Sequence, residues 1–408
     1  MKIAIIGAGA SGIVACIQAA RTNPALCIDL FDSNNAVGKK ILASGNGRCN
    51  ISNTSLSSAN YLGENPEFAQ FALKEFDYNA FEKFCTSIGL LLDVKENNKV
   101  YPQSNEAKSV VNLLHSQLEH LGVNIIYETS IEKIVKINEK FTLQTQDKSF
   151  ENYDKVLIST GLAAAPQLKS SEDGLTFAQS FGHTINPTYP SLVGLNVQES
   201  YCAKLQGVKK EVDVSLYINN QKEQEVFGDV LFTNYGVSGF AVLDISQSAA
   251  YSLSLYQEVH LTLNFFPNKN KNELIANIQT ILKSNEEESA VILLSGLLPN
   301  KLCSVLLEIC NMPKAIKAKE ITPKQIRAIV NQLQNWKLKI NDTQGFKHAE
   351  VSGGGVRVEE INNKTYESKL CKGLYFAGEV LDITGQRGGY NLHFAWASGY
   401  VVGKSLAR

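Results

Sequence analysis

Metal-site and disulfide patterns are what this 408-residue chain lacks first: its eight cysteines, Cys16, Cys27, Cys49, Cys85, Cys202, Cys303, Cys310 and Cys371, contain no CxxC pair and no disulfide-like ladder. Reduced thiols in a cytoplasmic protein are the natural expectation, with no metal site. No apolar run approaches the length of a membrane span. Charge of one sign is missing as well. With 39 Lys and Arg against 40 Asp and Glu, the net charge of −1 gives no whole-molecule field that would steer nucleic acid or membrane. Internal repeats and low-complexity tracts are absent. Lys2 ahead of an apolar stretch has the outline of a signal peptide, but Gly7, Gly9 and Gly12 break the apolar region. The length suits two or three domains, with ample apolar content for their cores.

What is present begins at the start of the chain. Lys2-Ile3-Ala4-Ile5-Ile6 reads as a buried strand of a parallel sheet and runs straight into Gly7-Ala8-Gly9-Ala10-Ser11-Gly12. In such a fingerprint Gly7 permits the tight turn, Gly9 lets backbone N–H groups approach a pyrophosphate, and Gly12 lets the helix pack on the strand. The phosphates then lie at the positive end of the helix predicted from Ser11 to Ala20. Asp32 closes the next apolar run, twenty residues after Gly12, where a carboxylate can accept hydrogen bonds from an adenosine ribose. Strand, turn, helix and acid together point to a dinucleotide site.

Along the chain three zones emerge. Residues 1–190 look α/β, with an amphipathic helix over Ser109–Leu121, strands near Val123–Tyr127, Ile131–Ile137 and Phe141–Thr145, and a strand from Tyr153 that ends in a small-residue turn at Gly161. Residues 191–270 turn to short β segments such as Val212–Ile218 and Val259–Phe265, with 336–345 assigned to the same barrel-like part. Residues 271–335 look helical, punctuated by Pro299, Pro313 and Pro323. From 346 to 408 the α/β character returns. The simplest architecture is one α/β nucleotide-binding domain with a middle insertion.

Two further motifs decide which dinucleotide is bound. Gly38-Lys39-Lys40-Ile41-Leu42-Ala43-Ser44-Gly45-Asn46-Gly47-Arg48-Cys49-Asn50 follows Asp32 and reads as a loop offering N–H groups and cations to a diphosphate and a ring system beyond it. At the other end, Tyr375-Phe376-Ala377-Gly378-Glu379-Val380-Leu381-Asp382 is a strand delivering a carboxylate. Gly388-Gly389-Tyr390-Asn391 then opens a last helix. A helix N-terminus stabilises the negative charge that a reduced flavin carries at N1 and its C2 carbonyl. Ala395, Ala397, Gly399 and Gly403 would let that helix pack closely on the sheet. A nicotinamide enzyme has no need of two such distant sites, whereas FAD uses both. Gly353-Gly354-Gly355 is not a second fingerprint, because a strand-like Val356-Arg357-Val358 follows it rather than a helix.

These motifs resemble the BaiN/RdsA (YhiN-like) family of FAD-dependent oxidoreductases, whose members often carry the description aminoacetone oxidase. The resemblance spans nearly the whole chain. It is carried by Ile6–Gly12, Lys40–Asn50, Leu231-Phe232-Thr233-Asn234-Tyr235-Gly236-Val237-Ser238-Gly239, Ala349–Val356, Glu367-Ser368-Lys369 and Gly373–Asp382. It implies a glutathione-reductase-like FAD domain interrupted by a β-barrel-like domain and a small helical domain. The cofactor residues it implies are Gly7, Gly9, Ala10, Ser11, Gly12 and Asp32; Lys40, Ser44, Gly45, Gly47, Arg48, Cys49 and Asn50; Thr160 and Gly161; and Gly378, Glu379, Asp382, Gly388, Gly389, Tyr390 and Asn391. Four positions depart from the family pattern. Asp32 stands where Glu is usual, Ser159-Thr160-Gly161-Leu162 replaces an ATGG-like turn, Asn234 replaces a His, and Phe240 replaces a Pro.

The resemblance implies one of three chemistries: reduction of a conjugated C=C in a bile-acid-type enone, reduction of the uracil C5–C6 bond in large-subunit ribosomal RNA, or oxidation of an amine by oxygen. The two reductions share one mechanism, hydride from flavin N5 to the β-carbon and a proton to the α-carbon. With no second fingerprint, NADPH or NADH is expected to react transiently at an open flavin face. For the acid, Cys49 comes first, because a thiol of pKa about 8.5 is mostly protonated at neutral pH and the motif puts it beside the flavin. Tyr235 and His393 follow, and Arg48 is placed to meet a flavin or substrate carbonyl. The alternative for Cys49 and His393 is simple packing. A local basic excess, nine basic against three acidic residues between Lys301 and Lys347, offers ribosomal RNA a place to bind, centred on Lys314, Lys317, Lys319, Lys324 and Arg327 with Trp336 and Lys337 behind. Glu286-Glu287-Glu288 counts against it, and a plain solvated surface is the alternative.

Overall fold

A computed structural model describes all 408 residues, which divide into two compact units, Met1–Tyr189 with Glu350–Arg408, and Pro190–Ala349.

The first unit is built on a five-stranded parallel sheet in the order Leu374–Phe376, Lys155–Ile158, Lys2–Ile6, Cys27–Phe31, Asn124–Ile126. The strand at the start of the chain is therefore central, and Ile3, Ala4 and Ile5 are fully buried, as a strand covered on both faces requires. The first helix, Ala10–Thr22, starts where the fingerprint places it, and the amphipathic segment is the helix Ala107–His120. The last helix, Tyr390–Leu406, differs from expectation in what its small residues touch. A Cβ on Gly399 would lie 2.3 Å from the carbonyl oxygen of Ser11, and one on Gly403 2.7 Å from that of Ala15. The small face thus lets the last helix press against the first helix rather than against the sheet. The triple glycine also differs: Gly353–Gly355 lie inside the strand Val351–Val356, and Val358–Glu360 is a single 3-10 turn. Small residues are needed there because a Cβ on Gly353 would fall 2.1 Å from the Tyr189 ring.

The second unit is a closed six-stranded antiparallel barrel, Leu195–Val197, Gly236–Ser238, Gln221–Phe232, Lys209–Ile218, Val259–Asn264 and Trp336–Thr343, with the last strand returning to the first. Closure removes the sheet edges. Between its last two strands the chain forms the helices Lys271–Lys283, Ala290–Leu294, Asn300–Ile309 and Pro323–Gln334. Barrel residues such as Val214, Leu261 and Leu338 share one continuous core with Leu302, Leu306 and Ile329 of the helices. Barrel and helical segment are accordingly one compact unit, where the sequence suggested two domains. No helix of the protein is long and apolar enough to cross a membrane.

Candidate functional site

The glycine turn comes first. Gly9 is the N-cap of the first helix, with no side chain capping it and no acid in the first turn. The first-turn N–H groups and the positive end of the dipole are open to an anion. A Cβ on Gly9 would meet nothing within 4 Å. Open space lies where a pyrophosphate has to approach, so the turn fits a dinucleotide. Two of the expected ligands also bond within the protein. The Ser11 hydroxyl donates to the Ala377 carbonyl (3.4 Å), tying the first helix to the C-terminal motif. The Asp32 carboxylate accepts the N–H of Ala8 (2.7 Å) and of Asn34 (2.7 Å). Each oxygen keeps a second acceptor site, so Asp32 both braces the glycine turn and can receive a ribose hydroxyl.

The segment after Asp32 is more ordered than a loop. Lys39–Ala43 is a short helix and Ser44–Gly47 a 3-10 turn. Gly45, Asn46, Gly47 and Cys49 all have left-handed backbones, with φ of 57°, 54°, 82° and 59°. Strain held by non-glycine residues marks a conformation that the surrounding structure enforces. Gly45 through Arg48 are exposed, and a Cβ on Gly47 would meet nothing within 4 Å. The Arg48 guanidinium lies over the Tyr101 ring, 6.0 Å from its centroid. Lys40 Nζ sits 2.6 Å from Glu379 Oε2, while Glu379 Oε1 accepts the N–H of Ser352 (2.8 Å). Ser44 donates its hydroxyl to the Ile41 carbonyl (2.7 Å).

In the C-terminal motif, several side chains expected at the cofactor instead hold backbone. Asp382 accepts the N–H of Glu64 (3.0 Å) and the Asn186 amide (2.7 Å), and burial raises its pKa. Asn391 exchanges two 2.7 Å bonds with the backbone of Gly385. Tyr390 receives the Tyr61 hydroxyl on its carbonyl (3.0 Å). The Thr160 side chain packs against Gly174, whose Cβ would lie 2.1 Å from the hydroxyl, while Gly161 borders Glu379. With its amide oriented to suit its neighbours, Asn50 donates to the carbonyls of Ser52 (3.0 Å) and Val100 (3.1 Å) and accepts the Gly389 N–H (3.3 Å). The last helix, capped by Gly389, likewise has no side-chain cap and no acid in its first turn.

The three acid candidates fare differently. Cys49 has no exposed surface, and burial pushes its thiol up to about 11, with the Ser44 hydroxyl pulling weakly the other way. A group with no accessible surface is not placed to protonate a substrate, so the structure makes Cys49 a packing residue. His393 is also fully buried. Its Nε2 lies 2.9 Å from the Phe76 carbonyl and its Nδ1 2.8 Å from Ser52 Oγ. A carbonyl can only accept, so Nε2 carries the proton and Nδ1 accepts from Ser52. Burial lowers this imidazole to about 4. Both nitrogens are engaged, and His393 is no proton donor. Tyr235 is half-buried, its hydroxyl lying 2.7 Å from where a Gly194 Cβ would stand.

Sequence reasoning missed the partners of these residues: Tyr101 under Arg48, Ser352 on Glu379, Ser52 and Phe76 around His393, and Tyr61 under Tyr390. A spacing rule does not reach them, because Ser52 and His393 are 341 positions apart. The basic segment is also changed. Lys317 and Lys319 both pair with Glu287, at 3.0 and 2.6 Å, and Trp336 is fully buried in the barrel. Lys324 and Arg327 remain exposed on the helix Pro323–Gln334 and form no ion pair.

Comparison with known proteins supplies the family. The chain is 36% identical over 406 residues to a 3-dehydro-bile acid delta(4,6)-reductase of Clostridium scindens, covering 100% of this chain and 99% of that protein. It is 30% identical over 410 residues to a ribosomal RNA dihydrouridine synthase of Haemophilus influenzae, covering 99% and 98%. In fold it is similar to a 3-ketosteroid delta1-dehydrogenase of Sterolibacterium denitrificans, with a TM-score of 0.51 at 11% identity over 99% of each chain. The family model of the HI0933-like protein Rossmann domain matches residues 1–405, and the chain belongs to that family, the BaiN/RdsA-type FAD-dependent oxidoreductases.

Proposed function

We propose that this protein reduces a C=C bond conjugated to a carbonyl, with NADPH or NADH as electron donor, in the cytoplasm. The observation that carries the reading is that the two relatives named above, a bile-acid reductase and a dihydrouridine synthase, are named for reductions of one bond type in unrelated molecules. FAD, when bound and reduced, supplies the hydride. The protein's own part follows from the site. The glycine turn and the first helix would hold the diphosphate, and the Lys40–Glu379 pair with Gly161 would border the sugar chain between the ends of the cofactor. The N-terminus of the last helix, with no side-chain cap and no acid in its first turn, would stabilise the negative charge that a bound reduced flavin collects at its ring edge. Arg48, exposed and backed by Tyr101, engages the substrate carbonyl and polarises it. Of the acid candidates only Tyr235 is not fully buried, and we assign it the proton for the α-carbon. Tyr235→Phe should then slow substrate reduction while leaving flavin reduction by the nicotinamide unchanged; an unaltered turnover removes Tyr235 from that role.

For the substrate, a uridine of large-subunit ribosomal RNA is our first reading, with Lys324 and Arg327 as the cations that meet phosphate. Lys317 and Lys319 contribute less because Glu287 neutralises them. A steroid-like enone is the second reading, favoured by that neutralisation and by the 36% identity to the bile-acid reductase. Amine oxidation gains nothing from the relatives named above. The deciding experiment is a nucleoside digest of large-subunit ribosomal RNA from a strain lacking the gene. Loss of dihydrouridine supports the RNA reading. Unchanged dihydrouridine, together with nicotinamide oxidation by the purified enzyme on a 3-oxo-4,6-diene steroid, replaces it with the second.

A further inference from the structure

Four consecutive residues that follow the Ser44–Cys49 turn each bond to the start of the last helix. Asn50 accepts the Gly389 N–H (3.3 Å). The Ile51 carbonyl accepts Trp396 Nε1 (3.0 Å). Ser52 Oγ donates to His393 Nδ1 (2.8 Å), and Asn53 Nδ2 donates to the Gly388 carbonyl (3.0 Å). His393 sits at the centre. It lies one helical turn inside the terminus, its own N–H bonding the Gly389 carbonyl (2.9 Å). The Phe76 and Phe81 rings pack against it, at 6.4 and 5.4 Å between centroids, and against each other at 5.9 Å. Its second nitrogen is anchored on the Phe76 carbonyl, so the imidazole bridges two segments that neither helix propensity nor the sheet holds together.

We propose that His393 is a positioning residue that locks the Arg48-bearing turn to the N-terminus of the last helix and thereby sets how strongly the protein favours reduced over oxidised flavin. This rests on the placement of the flavin ring edge at that terminus, given under Proposed function. The physical reason is preorganisation. The N–H groups of a helix terminus stabilise developing negative charge most when they need not reorient, and a terminus whose clamp is cut can swing away. Four bonds along one segment, three of them made by the buried side chains or backbone of Ile51, Ser52 and Asn53, make the terminus and the turn a single rigid piece.

The test is the reduction potential of the FAD-loaded protein, read by equilibration with a redox dye, beside thermal melting. His393→Leu removes both bonds at similar volume. Ser52→Ala removes one and leaves the aromatic packing intact. The expected result is retained FAD with a more negative potential in both variants. In His393→Leu the preference for reduced flavin should fall at least tenfold, about 30 mV for a two-electron couple, and Ser52→Ala should fall less. His393→Gln, which can still donate to the Phe76 carbonyl, should recover part of the shift. A merely structural role lowers the melting temperature and leaves the potential where it was, and that outcome in yellow Ser52→Ala protein overturns the proposal even if His393→Leu does not fold. Wild-type protein that takes up no FAD would instead overturn the functional reading itself.

Discussion

Two helices of the first unit begin at a glycine N-cap with no side-chain cap and no acid in the first turn, yet the two glycines stand in opposite surroundings. At Gly9 an added Cβ meets nothing within 4 Å. At Gly389 it would fall 2.2 Å from the Ser52 carbonyl oxygen, on a backbone with φ of 94°. One glycine keeps a space open and the other lets two pieces of chain touch. The difference matches two tasks. A diphosphate must come right up to the backbone, so the first terminus needs room. A flat ring edge needs donors that stay put, so the second terminus needs contact. The same residue type serves opposite ends, and only the structure shows which.

The comparison breaks most sharply at Gly389. Replacing it by Ala adds a left-handed penalty of roughly 1–2 kcal/mol to a backbone clash that overpacking data place at about 1–3 kcal/mol. We expect Gly389→Ala to lose about 3 kcal/mol or more in denaturant unfolding, with or without FAD. A loss under about 1 kcal/mol would mean that Ser52 is not pressed against the terminus.

Next in size is the acid sensitivity of the clamp. His393 is held neutral in the fold at about 4, below the ordinary value of 6.5. In the window between those values the unfolded chain binds a proton that the folded protein refuses. Stability therefore stays level above pH 6.5 and falls as the pH drops toward 4, by on the order of 3 kcal/mol for a shift of this size. His393→Gln has no such proton to refuse. Melting curves of the two proteins should converge below pH 5 and separate above pH 6.5; parallel curves throughout would show that the imidazole is not the group responsible.

The opening glycine should behave in the reverse manner. Gly9→Ala puts a methyl into empty space, so melting of the FAD-free protein should hardly change, while FAD affinity falls tenfold or more, about 1.4 kcal/mol. The measurement is FAD fluorescence quenching on titration. Equal affinity for wild type and variant would place the pyrophosphate somewhere other than over Gly9.

How far each terminus was legible follows from the same contrast. The glycine turn could be read because strand, turn, helix and Asp32 lie within 32 consecutive residues, and local chemistry sets their spacing. The barrel strands Val212–Ile218 and Val259–Phe265 were legible for a like reason, since each carries its own pattern. The second terminus was legible as a helix start but not as a clamp. Its partners Asn50, Ser52 and Phe76 come from more than 300 residues away, and no periodicity in either segment encodes the other. Cys49 and His393 could be read either way on this account: residue type suggested acids, and burial, a property of the assembled core, favours the packing alternative. Asp382 and Asn391 carry the same ambiguity, because a polar side chain near a cofactor motif can bind the cofactor or bind the backbone that shapes its site.

The far end of the last helix supplies the smallest and most selective test. Lys155, at the start of its strand, donates from Nζ to the carbonyls of Ser405 (3.1 Å) and Leu406 (3.0 Å), the last of the helix. A cation there satisfies orphan carbonyls and opposes the negative end of the dipole. Lys155→Met keeps most of the side-chain volume and removes both bonds, so we expect a loss of about 1 kcal/mol, read as a fall of roughly 2–4 °C in melting temperature. The flavin potential should stay fixed, because this end lies about 25 Å from Gly389 along a 17-residue helix and the clamp at the other end is untouched. If Lys155→Met moved the potential as much as Ser52→Ala does, the charge at the flavin would depend on the dipole of the whole helix, and the local hold on its N-terminus would lose its special standing.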